Sequence, residues 1–505
     1  MSDVPDAATA TGRKAQAAIV TAAVAGLAAD TLLRSESWGI NILLFGVVLG
    51  TTLLLLQLAG RVTIPPSARW FLGLAILSLA SFGWRDSDAL NLLALAMSFG
   101  CLSMAAYVAQ GGSWSRSGSL QYLSAVARNG IGCGLGILPL FLLDVTWSRK
   151  EQAGTRLWVS VGRGLLLALP PVVLIASLFA SADPVFGSFF AFDFDTIITH
   201  VMVIGFGFWV ASGYGRELLL ARPVVPMLTS APGKGRWGFT ETLILMGSVN
   251  AVFAAFLAVQ IGVFFGGSAF VEAHAGVSYA EYAREGFFDL VAVAAFVLPL
   301  ILLADWCSSR QNQKERAIFR ALSYLLLVFL FAVLLSAVQR MRIYQESYGL
   351  TELRLYTMAF MAWLTCVFAW FGWTVLRDQR ERFAPGAAIL ALLCLLVLHL
   401  INPDRLIVRT NLERARAGRP FDAAYAAMLG GEAMPDLIQS LPTLLPDDQC
   451  QVLGRLPRRL TIVPDWRSWN LARSAAAPLI RDALSRDPAR SAECEKIVTA
   501  TAHHD

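Results

Sequence analysis

The sequence predicts an all-α fold: a polytopic transmembrane helix bundle of about 12 spans with a small C-terminal helical soluble domain. Three observations carry this expectation. Of the 505 residues, 56% are hydrophobic and only 15% are charged, and the mean hydropathy is +0.58, which leaves too little polar surface for a soluble chain of this size. Apolar runs long enough to cross a bilayer, about 20 residues each, recur along the chain. None alternates with the period of a barrel strand: Leu53 to Leu56 and Leu325 to Leu327 are unbroken leucine.

In chain order the apolar runs cover 15–33, 38–58, 68–84, 89–110, 129–146, 160–182, 196–214, 240–266, 287–306, 320–339, 355–377 and 386–402. Helix is the conformation that satisfies every backbone polar group within one segment in lipid. The fifth run contains Gly130, Gly132, Gly134 and Gly136, which permit close helix packing. Pro170-Pro171 predicts a kink or break in the sixth. From about residue 403 Asp, Glu, Arg and Pro recur, so the domains are read as 1–402, the bundle, and 403–505, an extramembrane unit of short amphipathic helices.

A formal charge of +5 invites a nucleic-acid reading. The basic residues stand singly or in pairs at the ends of apolar runs, which is topology and not polyanion binding. The segments after the fifth, seventh, ninth and eleventh runs hold Arg149, Lys150, Arg216, Lys234, Lys314, Arg316, Arg377 and Arg380, and the positive-inside rule places them in the cytoplasm. The C-terminal unit then faces outside. Against this, Arg13 and Lys14 favour an inside N-terminus, and 340–354 holds three arginines. Seven cysteines include no C-x-x-C pair, so no metal or cofactor is read from them. Cys450 and Cys494, alone in the tail, are able to pair in an oxidising compartment if they meet.

Three polar constellations lie at run ends. The first holds Tyr279, Glu281, Tyr282, Arg284 and Glu285; the two glutamates are four apart and share a helix face, and the tyrosines are three apart. The second holds Arg340, Tyr344, Tyr348, Glu352 and Arg354, with Thr351 placed to cap the following helix after Gly349. The third is Asn402-Pro403-Asp404-Arg405, followed by Arg409, Asn411 and Arg414. Parity puts the loops after the eighth, tenth and twelfth runs on one membrane face whichever way the protein sits, so the three are expected to form one binding surface. The bland reading is interfacial tyrosine anchors and solvated helix ends. Asp144, Glu241 and Asp289 are polar residues at or near membrane depth, candidates for an ion or proton path.

Tyr279-Ala-Glu-Tyr-Ala-Arg-Glu-Gly-Phe287, Tyr348-Gly-Leu-Thr-Glu-Leu-Arg-Leu-Tyr356, and Asn402-Pro-Asp404 with Asn411-Leu-Glu-Arg414 resemble the bacterial membrane family called domain of unknown function 4173, close to its sister family 4153. The resemblance runs from the Asp30 region to Trp466-Arg-Ser-Trp-Asn470, and departs near Glu432, where an aspartate is expected. It implies a multi-pass protein of the bacterial inner membrane with no assigned reaction; the loop charges above make its C-terminal unit periplasmic.

Function is expected to be solute transport or envelope sensing through the polar site at one membrane face. The alternatives are a membrane enzyme acting on lipid-linked or envelope substrates, or a scaffold for a signalling partner. No nucleophile, metal or phosphate motif supports catalysis. The implied partners are the lipid bilayer, a small solute or envelope ligand, and a cytoplasmic signalling protein at the basic loops.

Overall fold

The computed structural model describes residues 7–35, 37–145, 194–220, 237–275, 287–308, 312–456 and 465–501, with the single positions 175 and 179. The run at 160–182 with Pro170-Pro171 lies outside them, apart from those two positions. The N-terminal helices are α1 (Ala7–Leu32), α2 (Ile40–Leu58), α3 (Pro66–Leu79), α4 (Ser81–Trp84), α5 (Asp88–Ala109) and α6 (Ser119–Leu135). The central ones are α7 (Phe194–Leu219), α8 (Phe239–Ala275), α9 (Phe287–Cys307), α10 (Gln313–Tyr348), α11 (Glu352–Thr374) and α12 (Phe383–Ile401). The tail forms α13 (Pro403–Arg416), α14 (Ala423–Met428), α15 (Met434–Ser440), α16 (Pro446–Leu453), α17 (Leu471–Arg486) and α18 (Pro488–Thr501).

Among the described residues, eight helices are long and apolar enough to cross a membrane, or nine if one bent pair counts as a span. The third run is shorter than read from sequence: α3 has only 14 residues and one turn, α4, follows it. Helix α10 has 36 residues, about 54 Å at ~1.5 Å per residue, against a hydrocarbon core of about 30 Å. Its polar last turns therefore project past the apolar layer.

Contacts sort the helix ends. Arg467 of the tail donates to the Thr31 carbonyl at 2.9 Å, and the Ile40 amide donates to the Trp469 carbonyl at 2.8 Å. The end of α1, the start of α2, the α4–α5 turn, the α10–α11 turn and the end of α12 thus all lie at the tail end of the bundle. At the opposite end Ala15 of α1 packs with Val62, Val108 and Leu218.

The fifth run differs from its expected straight span. Helix α6 bends by 59° before Ile137–Asp144, and both limbs return to the C-terminal end of α7: Arg128 pairs with Glu217 at 3.1 Å and Asp144 with Arg216 at 2.6 Å. Glycine permits the close approach to α7, because the backbones of Gly132 and Gly136 sit directly against Gly213 where a Cβ would collide. The N-terminus of α1, with Arg13 and Lys14, lies at the same end as the basic α9–α10 and α11–α12 turns.

Two cores form. One packs α8–α12 around the fully buried Phe368, Phe371, Leu326, Leu330 and Ile301. The other gathers Ile407, Val408, Met434, Leu437, Val452, Leu456 and Ile480 of the tail helices together with Leu350 of the α10–α11 turn. A disulfide between Cys450 and Cys494 joins α16 to α18.

Candidate functional site

The tail helices meet the bundle through side chains that grip main-chain groups. Asn470 caps α17 by accepting from the Ala472 and Arg473 amides, while its Nδ2 donates to the Phe82 and Arg85 carbonyls. Arg414 donates to the Gln345, Glu346 and Ser347 carbonyls in the last turn of α10. Asn411 holds both polar groups of Leu350. The Glu352 amide, at the start of α11, donates to the Tyr425 hydroxyl at 2.8 Å.

At the centre of this junction lies a knot of acids and arginines. Asp86 and the 430–432 turn clasp each other: the Gly431 amide donates to Asp86 Oδ2 at 2.9 Å, and the Asp86 amide donates to the Glu432 carboxylate at 3.1 Å. Arg85 approaches Glu432 to 3.8 Å and donates to the His399 carbonyl at the end of α12, while Arg473 lies 3.6 Å from Asp86. Asp404, 2% exposed, accepts from the Gly430 amide at 3.0 Å through Oδ2, and its Oδ1 has no hydrogen-bond partner among the described residues. Gly430 must be glycine here, since a Cβ would meet the Asp86 carbonyl and the Asp404 carboxylate.

Electrostatics follow from that burial. Asp404 is pushed up from 3.8 to about 7 by desolvation and then by the neighbouring Glu352 and Glu432 carboxylates; the Gly430 amide opposes the shift. Burial also raises Glu432. Burial lowers Arg85, against the attraction of Glu432 and Asp404. A carboxyl that changes charge near neutrality beside two others is able to bind and release a proton while altering the contacts between tail and bundle.

The structure places the sequence-read residues unevenly. Glu352 and Asp404 come together in the knot, and Asn402 caps α13 by accepting from the Arg405 amide. Arg354 stacks over the Tyr344 ring at 4.0 Å and donates to the Tyr348 and Gly349 carbonyls. Arg340 points instead into the α8–α10 interface, donating to Gln260 at 3.0 Å. Tyr279, Glu281, Tyr282, Arg284 and Glu285 lie outside the described residues. Asp144 is paired with Arg216, whereas Glu241 and Asp289 are exposed acids in the first turns of α8 and α9, where a helix N-terminus favours negative charge.

Sequence reasoning passed over Arg85, Asp86 and Arg473. Their signal was the density of charge in Arg85-Asp86-Ser87-Asp88 between two apolar segments. Asp30 and His200, far apart in the chain, pair at 2.7 Å at the tail end with Arg34 beside them. No group of three metal-ligating side chains occurs among the described residues.

Residues 71–440 match the family described as domain of unknown function (DUF4153), the second of the two sister families that the motifs resemble. Comparison with the curated proteins and with the solved structures gives no match. The matched span contains Arg85, Asp86, Glu352, Asp404 and Glu432 and stops before Asn470 and Arg473.

Proposed function

This chain belongs to the DUF4153 family, and we propose that it is an envelope sensor of the bacterial inner membrane in which an outward-facing C-terminal domain, 403–505, reports proton activity to the helix bundle. The observation that carries this reading is Asp404, a buried carboxyl at the point where Gly430 of the tail, Glu352 of α11 and Asp86 of the α4–α5 turn meet. Protonation removes a charge that burial and two neighbouring acids disfavour, tightening the junction, and deprotonation loosens it.

Orientation rests on two supports. Arg13, Lys14, Arg61, Arg116, Arg316, Arg377 and Arg382 belong to the end opposite the tail, which supports a cytoplasmic placement of that end, although Arg34, Arg85, Arg340, Arg342 and Arg354 stand at the tail end. A disulfide in the tail, Cys450 to Cys494, suits the oxidising side. In this arrangement the bent α6 segment enters and returns at the end opposite the tail. Sensing is preferred to transport because the buried carboxyl lies at the junction of tail and bundle, whereas Glu241 and Asp289 are exposed in the first turns of α8 and α9.

The test is hydrogen exchange of the full chain in lipid nanodiscs at about pH 5 and about pH 8, corrected for intrinsic rates. Amides of 85–88 and 429–433 are expected to be better protected at the lower pH. Equal protection at both sinks the reading.

A further inference from the structure

A recess of about 640 Å³ opens at the tail end beside the last span. Its lining joins two chemistries: the apolar Leu400, Ile401 and Leu406, and the basic Arg85, Arg405 and Arg409. Helix α13 explains the mixture. Pro403, Asp404, Ile407, Val408 and Leu412 face inward and are buried, which turns Arg405, Leu406 and Arg409 outward. Leu400 and Ile401, 65% and 47% exposed, continue the outward apolar surface of α12 up to the point where those arginines begin.

The three arginines are not equally committed. Arg405 is paired with Asp436 at 2.7 Å. Arg85 donates to the His399 carbonyl, lies over the Trp84 ring at 4.5 Å and faces Glu432 at 3.8 Å, which leaves its buried Nε without a hydrogen-bond partner among the described residues. Arg409 makes no ion pair or hydrogen bond through its side chain among the described residues.

We propose that this recess binds the phosphate of an anionic phospholipid, with Arg409 and Arg85 as the cationic contacts and the acyl chains lying along Leu400 and Ile401. A guanidinium offers paired donors that match phosphate oxygens, and the site sits where a lipid headgroup meets the end of a span. An apolar wall adjoining the arginines selects a lipid over a free anion, because only the lipid buries Leu400 and Ile401 while its phosphate is neutralised. The site stands whether or not Asp404 titrates in the sensing range.

The experiment uses the full chain purified in a neutral detergent and titrated with short-chain phosphatidylglycerol, the matching phosphatidylcholine and inorganic phosphate, with bound lipid counted by native mass spectrometry. Phosphatidylglycerol is expected to saturate one site at least about tenfold more tightly than phosphatidylcholine or inorganic phosphate. Arg409→Gln is expected to weaken it by about ten- to a hundredfold, with Arg409→Lys intermediate. Glu413→Gln, which removes the one acid lining the recess, is expected to tighten binding and needs no loss of fold to be read. Equal binding of the two lipids, or unchanged binding in both Arg409→Gln and Glu413→Gln, overturns the proposal. Inorganic phosphate binding as tightly as phosphatidylglycerol also overturns it, making the recess a site for a soluble anion.

Discussion

The side-chain amide of Asn411 holds Leu350 at both main-chain groups, accepting from its amide at 2.8 Å and donating to its carbonyl at 2.8 Å. One side chain of α13 thereby satisfies the main-chain groups of the turn between α10 and α11, and Leu350 enters the tail core beside Ile407 and Leu412. Asn411→Ala leaves two half-buried polar groups unpaired and is expected to cost about 1–3 kcal/mol. Thermal unfolding of the detergent-solubilised chain measures it, and Asn411→Asp, which keeps the acceptor and loses the donor, should fall between. An unchanged midpoint in Asn411→Ala contradicts the role assigned to the clamp.

Glycine at 430 is a packing requirement. Gly430→Ala pushes a methyl group into the Asp86 carbonyl and the Asp404 carboxylate, and is expected to destabilise by about 1–3 kcal/mol. At Gly247 in α8 an added Cβ meets nothing within 4 Å, so Gly247→Ala should be neutral or slightly stabilising by helix propensity alone. Equal effects at the two positions would remove the argument from close approach.

Asp404 sets a pH dependence with a definite sign. Its folded value, about 7, exceeds the ordinary 3.8, so between the two the folded chain holds a proton that the unfolded chain lacks. The associated stability is fully present below about pH 4 and is lost as the pH rises through about 7. At ~1.4 kcal/mol per unit the change is up to about 4 kcal/mol. Asp404→Asn, a neutral mimic that keeps the acceptor for Gly430, is expected to flatten this part of the profile and to raise stability at about pH 8. Unfolding midpoints across the range decide the matter; parallel profiles for the two proteins count against it.

Cys450 and Cys494 are 44 residues apart and bonded, which leaves Cys101, Cys133, Cys307, Cys366 and Cys394 as free thiols. Alkylation in denaturant without reductant should label five cysteines, and seven after reduction. Opening the cross-link is expected to cost the tail about 2–4 kcal/mol, readable as faster proteolysis of the C-terminal helices. Seven labels before reduction would refute the pairing.

How much of this was legible in the sequence depends on the range of the interaction. Span positions follow from local hydropathy, and the helices from Ile40, Asp88, Phe239, Glu352 and Phe383 start within a few residues of the apolar runs read from sequence. The same-face placement of Glu352 and Asp404 followed from parity, which needs only the number of crossings between them. The bend after α6 was not legible, although its glycines were: glycine permits close approach but does not say which backbone approaches, and Gly213 lies far along the chain.

The sequence by itself determined that this is a helical membrane protein with a polar C-terminal tail, because the cost of unpaired backbone groups in lipid is paid within each segment and is visible segment by segment. Tertiary structure alone decided that the tail docks on the turn at Arg85-Asp86, that Asp404 is shut away from water with one oxygen unbonded among the described residues, and that Cys450 finds Cys494. Those outcomes depend on pairs separated by tens to hundreds of residues, and neither partner's local pattern specifies the other.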